Sequence, residues 1–312
     1  MAAPKIVTLT LNPAIDKSSA IGSVASEIKM YCDQPTFDPG GGGLNVSRAI
    51  KRLGGDSLAV FACGGPTGEM LKMLLEREHL TMQPITIASL TRENLIVYET
   101  STGLQFRFGM PGAALSESNL HACTEAVLNS GAAYLVASGS LPPGVPITYY
   151  ADLTRAARAQ GMRVIVDTSG KALQAIDGSN PFLLKPNIGE LETFSGEKFQ
   201  GEKHLRQVCL RLIAAHLADA LVVSLGAGGA ALVTKERFVI MRPPVVPVKS
   251  KVGAGDSMVG GIVWALSEGH DLVEAVRWGI AAGSAAVMSD GTSLDRIDEA
   301  FELYPQITLM EM

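Results

Sequence analysis

Short apolar runs alternate with amphipathic helical patterns along most of this chain, and that alternation limits its possible folds more than any other feature. Runs typical of buried strands lie at 4–11, 58–62, 133–137, 162–166 and 220–225. Apolar residues recur at helical spacing over 44–53, 67–78 and 147–160. Alternating strands and helices form parallel sheets, because each crossover helix packs on a face of the sheet. The sequence therefore predicts an α/β fold, with a mostly parallel sheet flanked by helices.

Length and composition agree with one folded unit of this class. The chain has 312 residues, of which 47% are hydrophobic and 18% charged, so it can bury a large core. No apolar run approaches the roughly 18 consecutive residues that a membrane-spanning helix requires. Because the chain shows neither internal repeats nor a linker, we expect a single domain over residues 1–312 that does not cross a membrane.

Charge and cysteine content exclude further classes of protein. There are 26 Lys and Arg against 31 Asp and Glu, a formal net charge of −5, so no basic excess indicates a nucleic-acid partner. The four cysteines form no CxxC pair, which favours reduced thiols over disulfides or zinc. The N-terminal residues lack the charged and long apolar regions of a signal peptide, so we expect a cytoplasmic protein.

Two β-rich segments interrupt the alternation. Residues 94–108 predict a hairpin around a Ser-Thr-Gly turn, and an extended segment at about 15–38 separates the first strand from a run of glycines. A doubly wound sheet needs neither segment. We expect the two to form one small β subdomain of the kind that serves as a lid or binding loop.

Four consecutive glycines, Gly40 to Gly43, lead into the helix predicted at 44–53. Without side chains, this backbone allows close approach of a ligand, and the start of the helix adds unpaired N–H donors. The alternative is a flexible loop that only caps the helix.

A second glycine-rich turn, VGAGDS at 252–257, also opens an amphipathic helix. Successive N–H groups in such a turn form a nest for anions and suit a phosphoryl group. Asp256 lies at its edge. From the local sequence, this carboxylate serves equally well as a proton acceptor for a substrate hydroxyl or as a helix cap.

The motif KPNIGE at 185–190 offers a third group of polar side chains. Asn187 and Glu190 share one face of a first helical turn, where a carboxylate can hold hydrated Mg²⁺, and Lys185 adds a cation for phosphates. The same spacing fits a capping box between Asn187 and Glu190 at least as well.

Other familiar motifs are missing or out of context. The segment GAGGAA at 226–231 fits a relaxed dinucleotide fingerprint, but a β pattern follows it where a helix is required. The sequence contains no GxxxxGK[ST], HExxH or GxSxG. The five histidines are scattered in charged helical segments, and we expect them at the surface.

Taken in order, six motifs resemble the phosphofructokinase B family of the ribokinase superfamily. They are TLTLNPAID at 8–16, GGGGLN at 40–45, SGSLPPG at 138–144, KPNIGE at 185–190, SLGAGGA at 224–230 and VGAGDS at 252–257. MPGAAL at 110–115 and AAGSAA at 281–286 further resemble its minor bacterial 6-phosphofructokinase branch. The resemblance implies a ribokinase-like fold with a β-sheet lid built from about 15–38 and 92–110.

This resemblance also implies a reaction, the ATP-dependent transfer of a phosphoryl group to the 1-hydroxyl of fructose 6-phosphate in glycolysis. Asp256 is the implied base, with Mg²⁺ held through water by Asp167 and Glu190. The implied anion hole consists of Gly253, Ala254 and Gly255.

Binding residues carry over in the same way. The implied sugar and sugar-phosphate ligands are Asp16, Lys29, Gly41, Gly42, Asn45, Arg92, Arg107 and Ser140. The implied ATP ligands are Lys185, Asn187, Ser224, Gly226, Gly229 and Ser284. The implied monovalent-cation (K⁺) ligands are Ser250, Val252, Ala286, Ser289, Gly291 and Ser293. The resemblance further implies inhibition by ATP and a homodimer formed through the lids.

At two positions the chain departs from the family pattern. Lys251 replaces a small hydroxyl residue beside the implied K⁺ ligands, where like-charge repulsion would weaken cation binding unless its ammonium group extends into solvent. Tyr31 replaces an arginine near Lys29, which weakens the expected phosphate clamp.

Two alternative functions stay open at this point. A 1-phosphofructokinase or tagatose-6-phosphate kinase has the same fold, but that branch typically has GGKGxN, with a lysine where this chain has Gly42. A non-catalytic regulator that binds sugar phosphate is the alternative of another class. It would not need Asp256, the GAG turn and Glu190 together.

Overall fold

Ten strands form a large central sheet and four form a smaller one, in a computed structural model that describes residues 5–289 and 293–311. The strands are β1 (Ile6–Thr10), β2 (Ala14–Ile21), β3 (Thr36–Gly40), β4 (Leu58–Cys63), β5 (Thr81–Thr86), β6 (Arg92–Glu99), β7 (Leu104–Phe108), β8 (Tyr134–Ser138), β9 (Arg163–Asp167), β10 (Leu183–Leu184), β11 (Ala220–Ser224), β12 (Ala230–Val233), β13 (Phe238–Arg242) and β14 (Thr308–Glu311).

Helices connect most neighbouring strands of the large sheet. They are α1 (Gly42–Arg52), α2 (Gly65–Arg77), α3 (Glu117–Leu128), α4 (Tyr149–Ala159), α5 (Gly170–Gln174), α6 (Ile188–Ser195), α7 (Glu202–Ala214), α8 (Ala254–Ser267), α9 (Leu272–Ala286) and α10 (Ala300–Leu303). Short 3₁₀ helices lie at Gly226–Gly228, Ile297–Glu299 and Tyr304–Gln306.

The large sheet has the order β14-β13-β12-β11-β10-β9-β8-β1-β4-β5. Strand pairs from β5 to β11 are parallel, and β11 to β14 are joined by antiparallel pairs. The predicted α/β fold with a mostly parallel sheet is therefore confirmed.

Side chains alternate between the two faces of the large sheet, as the pleat of a strand requires. On β8, Leu135 and Ala137 join a core beneath α3, α4 and α7, whereas Tyr134 and Val136 join a core beneath α1, α8 and α9. Helices thus cover both faces. This arrangement exposes the carboxyl ends of the parallel strands along one edge, where α/β proteins bind ligands.

The small sheet has the order β3-β2-β6-β7. The expected hairpin at 94–108 is present, since β6 and β7 pair antiparallel, and β2 and β3 lie within the extended segment at 15–38. The two excursions join because β2 and β6 pair in parallel from Ala14 and Arg92 to Ile21 and Glu99. Ile15 on β2 is buried with Leu71 and Leu75 of α2, which anchors the small sheet to the large one.

Two sequence-based expectations concern the chain as a whole. Over the ranges 5–289 and 293–311, none of the helices has the length and apolar character that crossing a membrane requires. All four cysteines are free thiols, and three of them, Cys63, Cys123 and Cys209, are buried.

Candidate active site

Five neighbouring strand ends bring most of the predicted site residues to one edge of the large sheet. β1, β8, β9, β10 and β11 are adjacent, and their carboxyl ends point the same way. These ends carry Asn12 and Asp16 after β1, Ser138 and Ser140 at β8, Asp167 on β9, Lys185 after β10 and Ser224 on β11. Residues that are far apart in sequence thereby line one cleft.

The glycine run packs closely against two of these strand ends. A Cβ atom on Gly42 would lie 2.4 Å from Ser138 Oγ, and one on Gly43 would lie 2.6 Å from the Leu9 carbonyl oxygen. Gly41 has φ +119°, a conformation that L side chains rarely adopt. The run is therefore no flexible loop, because it lets the first turn of α1 sit directly on β1 and β8 and so places Asn45 in the cleft.

Asp256 lies in the first turn of α8 and faces α1. Its Oδ2 accepts a hydrogen bond from Asn45 Nδ2 at 2.9 Å. The N-cap position belongs to Gly253, and no side chain there makes a capping hydrogen bond. The structure thus favours the proton-acceptor hypothesis for Asp256 over the helix-cap hypothesis.

The pKa of Asp256 is raised to about 7, first by burial and next by the nearby charge of Asp167. The hydrogen bond from Asn45 and the ammonium group of Lys185 act in the opposite direction. A carboxylate with a pKa near neutrality is well matched to proton exchange at physiological pH.

Lys185 occupies the centre of a charged cluster. Its buried ammonium lies 3.1 Å from Asp167 Oδ1, and a Cβ atom on Gly255 would lie 3.5 Å from it. Burial opposes the charge of Lys185, but Asp167, Asp256 and Glu190 hold its pKa above the usual value. One ammonium group thus stands among three carboxylates, which leaves the cluster with a negative balance when all are ionised.

Asn187 and Glu190 form the capping box that their spacing allowed. Asn187 Oδ1 accepts from the Glu190 backbone N–H at 2.9 Å, and Glu190 Oε2 accepts from the Asn187 N–H at 2.8 Å. In the part of the chain that the structure describes, no group of three or more His, Cys, Asp or Glu residues is arranged to hold a metal ion. Binding of Mg²⁺ through water stays a prediction.

Asp16, an expected sugar ligand, is held by a residue that the sequence did not indicate. Asn94 Nδ2 donates to Asp16 Oδ1 at 2.7 Å, and Asn94 Oδ1 accepts from the Met110 N–H at 3.2 Å. Asp16 is only 6% exposed. Burial raises its pKa, and Asn94, Arg92, Arg107 and Arg48 partly offset the effect. Only the parallel pairing of β2 with β6 reveals this contact, because it places Asp16 opposite Asn94.

Arg92, expected to bind the sugar phosphate, makes contacts that the sequence did not predict. Its guanidinium donates to the carbonyl oxygens of Asn12 at 3.0 Å, Pro13 at 3.4 Å and Met110 at 3.0 Å. Asn12 and Pro13 lie between β1 and β2, and Met110 follows β7. Arg92 itself is the first residue of β6. Arg92 therefore ties the base of the small sheet together, and its role as a phosphate ligand stays a prediction.

The other expected sugar-phosphate ligands are exposed. Arg107 lies on β7, and Lys29 lies in the segment between β2 and β3, with its ammonium group 4.9 Å from the centre of the Tyr31 ring. Ser140 is exposed and accepts from Asn12 Nδ2 at 2.9 Å, a second contact that the sequence did not indicate.

The expected ATP ligands follow the neighbouring strands. Ser224 ends β11 and pairs with Asn187 in an isolated β bridge. Gly226 and Gly229 have positive φ angles in the tight turn before β12, where the structure has a strand rather than a Rossmann helix. Ser284 lies on α9 and is 9% exposed.

The expected K⁺ ligands come from two loops that meet beside α8. The N–H groups of Lys249 and Ser250 both donate to the Val287 carbonyl, at 2.8 and 3.2 Å. These hydrogen bonds join the loop that contains Val252 to the end of α9, where Ala286 lies. Burial opposes the charge of Asp295, but hydrogen bonds from Ser289 and Ser293 hold its pKa below the usual value. Gly291 lies outside the described residues. The side chain of Lys251 is exposed, as expected if its ammonium group extends into solvent.

Four of the five histidines, His79, His121, His216 and His270, are exposed, as expected. His204 is half-buried and contacts the Phe199 ring and Glu197.

Comparison with known families decides the relationship. A model of the pfkB family of carbohydrate kinases matches residues 6–299. This chain belongs to the pfkB family. The predicted membership is thus confirmed, and the match covers the small sheet and all strands of the large sheet except β14.

Among relatives of this pfkB kinase is a protein of Escherichia coli strain K12 named ATP-dependent 6-phosphofructokinase isozyme 2. The two are 42% identical over 306 residues, which is 97% of this chain and 99% of the relative. A crystal structure of phosphofructokinase-2 from Escherichia coli in complex with substrates and products superposes with a TM-score of 0.92 at 43% identity, covering 97% of this chain and 99% of that one. A structure of the same protein in complex with potassium gives a TM-score of 0.92 at 42% identity with equal coverage. The ribokinase-like fold is therefore confirmed.

Proposed function

We propose that this pfkB kinase is an ATP-dependent 6-phosphofructokinase, which transfers the γ-phosphoryl group of ATP to the 1-hydroxyl of fructose 6-phosphate. The observation that carries the proposal is the hydrogen bond between Asn45 and Asp256, beside the GAG turn and Lys185. It joins the helix expected to hold sugar with the helix expected to hold phosphate. The high coverage of the 6-phosphofructokinase relative supports the same substrate.

In the proposed reaction, the side chains of Asp16 and Asn45 hold the sugar hydroxyls and Asp256 accepts the proton of the 1-hydroxyl. The sugar oxygen forms a bond to the γ-phosphorus, and the bond from that phosphorus to the bridging oxygen of ADP breaks. The backbone N–H groups of Gly253, Ala254 and Gly255 stabilise the charge on the transferring group. The proton then passes from Asp256 to solvent.

Lys185 and the residues around it are proposed to bind the ATP phosphates. Asn187, Ser224, Gly226, Gly229 and Ser284 complete this set. The negative cluster formed by Asp167, Asp256 and Glu190 fits a hydrated Mg²⁺ held through water and the phosphates. When bound, Mg²⁺ neutralises charge on the β- and γ-phosphates.

A monovalent cation is proposed at the meeting point of the two loops near Val287. The serine hydroxyls and backbone carbonyls available there are oxygen donors, the ligand type that K⁺ and other hard cations prefer. The exposed side chain of Lys251 leaves this position accessible, so the like-charge repulsion considered from the sequence is reduced by solvent.

The small sheet is proposed to act as a lid on a single domain over 1–312, formed from about 15–38 and 92–110, and to pair with the lid of a second copy. Its strand β2 carries Asp16, and contacts of Ile15 and Arg92 attach it at its base, which supports a position at the mouth of the cleft. Closure would exclude water from the transferring phosphoryl group.

Gly42 favours fructose 6-phosphate over the substrates of the sister branch. That branch typically has lysine at this position, and here a Cβ atom alone would lie 2.4 Å from Ser138 Oγ. This backbone has no room for the lysine, so the phosphate of the sugar must be recognised elsewhere. Arg92, Arg107 and Lys29 are the proposed cations.

A coupled ADP-release assay tests the proposal across fructose 6-phosphate, fructose 1-phosphate, tagatose 6-phosphate and free sugars. We expect the highest kcat/KM with fructose 6-phosphate. A higher kcat/KM with fructose 1-phosphate would assign the chain to the sister branch. Binding of fructose 6-phosphate without turnover of any substrate would support the regulator alternative.

A further inference from the structure

Arg48 is a buried charged residue that the proposed reaction does not yet use. It lies on α1, one turn after Asn45, and its side chain is only 2% exposed. A guanidinium group is costly to bury unless its donors are satisfied by well-placed acceptors. The partners of Arg48 therefore indicate what it stabilises.

The guanidinium of Arg48 joins three elements around the cleft. Its Nε and Nη2 donate to the two carboxylate oxygens of Glu78, both at 2.8 Å, at the end of α2. Its Nη1 donates to the Pro39 carbonyl of β3 at 3.0 Å and to Asn45 Oδ1 at 3.3 Å. The paired Glu78 holds the plane of the guanidinium, so the direction of Nη1 is fixed.

This contact determines the orientation of the Asn45 side-chain amide, that is, the positions of its oxygen and its NH₂ group. A guanidinium only donates, and an ionised carboxylate only accepts. With Oδ1 towards Arg48 and Nδ2 towards Asp256, both contacts of the amide are favourable. The reversed amide would place donor against donor on one side and oxygen against carboxylate on the other.

We propose that Arg48 is a positioning residue for phosphoryl transfer, which fixes the Asn45 amide and, through it, the carboxylate of Asp256. The inference rests on the proposed function, since it takes Asp256 as the base. The contact with Pro39 also links this chain of hydrogen bonds to the small sheet.

Two substitutions of Arg48 separate positioning from folding. Arg48→Lys keeps a cation beside Glu78 but loses the planar fork, and Arg48→Met removes the charge. We expect each variant to lower kcat at least about tenfold, because small misplacements of reacting groups are costly, with KM for ATP changed less than about twofold. Arg158→Met is the matched control. It removes an arginine paired with Asp219 at 2.8 Å outside the cleft, and its kcat should stay at the wild-type value.

A double-mutant cycle with Asn45→Ala tests whether Arg48 acts through Asn45. If it does, Arg48→Lys costs little further kcat in the Asn45→Ala background, because the group it positions is gone. The same loss in both backgrounds would overturn the proposal. The midpoint of denaturant unfolding is measured for each variant, and a loss of kcat that merely follows unfolded protein would also overturn it.

A readout without turnover separates this inference from the proposed function. The side-chain NH₂ resonances of Asn45 are assigned by their disappearance in Asn45→Ala and compared by ¹H–¹⁵N NMR. We expect them to shift in Arg48→Lys and to stay in place in Arg158→Met. Unchanged resonances in Arg48→Lys would contradict positioning by Arg48, whereas failure of the wild type to phosphorylate any sugar phosphate would contradict only the proposed function.

Discussion

Asp256, the proposed proton acceptor, combines a fixed orientation and a pKa near 7 in one side chain. The orientation comes from Asn45, and the pKa comes first from burial and then from the charge of Asp167. A carboxylate kept only to cap α8 would point at its own backbone. These properties lead to two expectations at the scale of single residues.

The first prediction concerns Asp256→Asn. The amide keeps the size of the side chain and can still accept from Asn45, but it cannot take a proton. We expect kcat to fall by about 100-fold or more, with KM for ATP little changed, as measured by steady-state kinetics. Asp177→Asn, at an exposed position outside the cleft, is the control and should match the wild type. Near-wild-type turnover in Asp256→Asn would reduce Asp256 to a structural role.

The second prediction concerns pH. The folded pKa of Asp256, about 7, lies above its ordinary value of 3.8, so folding favours the protonated form. As the pH rises from about 4 to about 7, the wild type therefore loses free energy of unfolding, whereas Asp256→Asn does not. Above pH 7, the difference in free energy of unfolding between the two proteins becomes constant. Because only the ionised form can act as the proposed base, kcat should also decline as the pH falls below about 7.

Denaturant unfolding of both proteins across this pH range provides the measurement. The difference in free energy of unfolding should grow in favour of the asparagine variant as the pH rises. Asp177→Asn should follow the wild type throughout. A difference independent of pH would show that the carboxyl group of Asp256 does not titrate between 4 and 7.

Local sequence left two roles open at Asp256 and two at the Asn187–Glu190 pair. The contacts that bear on these roles are long-range at Asp256 and local at the pair. The partner that orients Asp256 lies on α1, far away along the chain, and no local pattern reveals it. The capping box involves residues three apart, so its geometry is set locally and was foreseeable. Asn94 escaped notice for the first reason, and so did Arg48, whose orientation depends on Glu78 and Pro39 of other elements.

At the scale of elements, sequence patterns located most buried strands and the hairpin of the small sheet, but missed two exposed strands of the large sheet. β5 contains Pro84 and alternates exposed with half-buried residues, and β14 is exposed along its whole length. Both form edges of the large sheet, where only part of a strand is buried and proline is tolerated. Hydrophobic patterns report burial, so edge strands leave a weak signal.

The third prediction concerns the base of the small sheet. Arg92→Ala removes three hydrogen bonds to carbonyls of the connecting segments, along with a cation expected near the sugar phosphate. We expect KM for fructose 6-phosphate to rise at least about tenfold, since charge-assisted contacts are strong, and KM for ATP to change far less. Arg155→Ala, which removes an exposed arginine of α4, is the control. An unchanged KM for fructose 6-phosphate would exclude Arg92 from both roles.

At the scale of the whole molecule, β7 and the segment that connects β2 to β3 expose large apolar side chains. Ile28 is 65% exposed, Tyr31 76% and Leu104 58%. Large exposed apolar patches mark interaction sites, and we expect these residues to contribute to one. The occupant proposed from the sequence is a second copy of this chain, joined lid to lid.

The fourth prediction tests that assembly. We expect a mass of twice 32.8 kDa for the wild type at micromolar concentration in analytical ultracentrifugation. Ile28→Asp and Leu104→Asp each place a charge in the contact, where an unpaired buried charge is strongly unfavourable, and should shift the protein towards monomer. Ile147→Asp changes a residue of similar exposure, 51%, outside the small sheet, and should leave the mass unchanged.

If a monomeric variant also shows a raised KM for fructose 6-phosphate with an unchanged KM for ATP, the second copy supports the sugar side of the cleft. A monomeric wild type, or dimers in both lid variants, would contradict assembly through the lids.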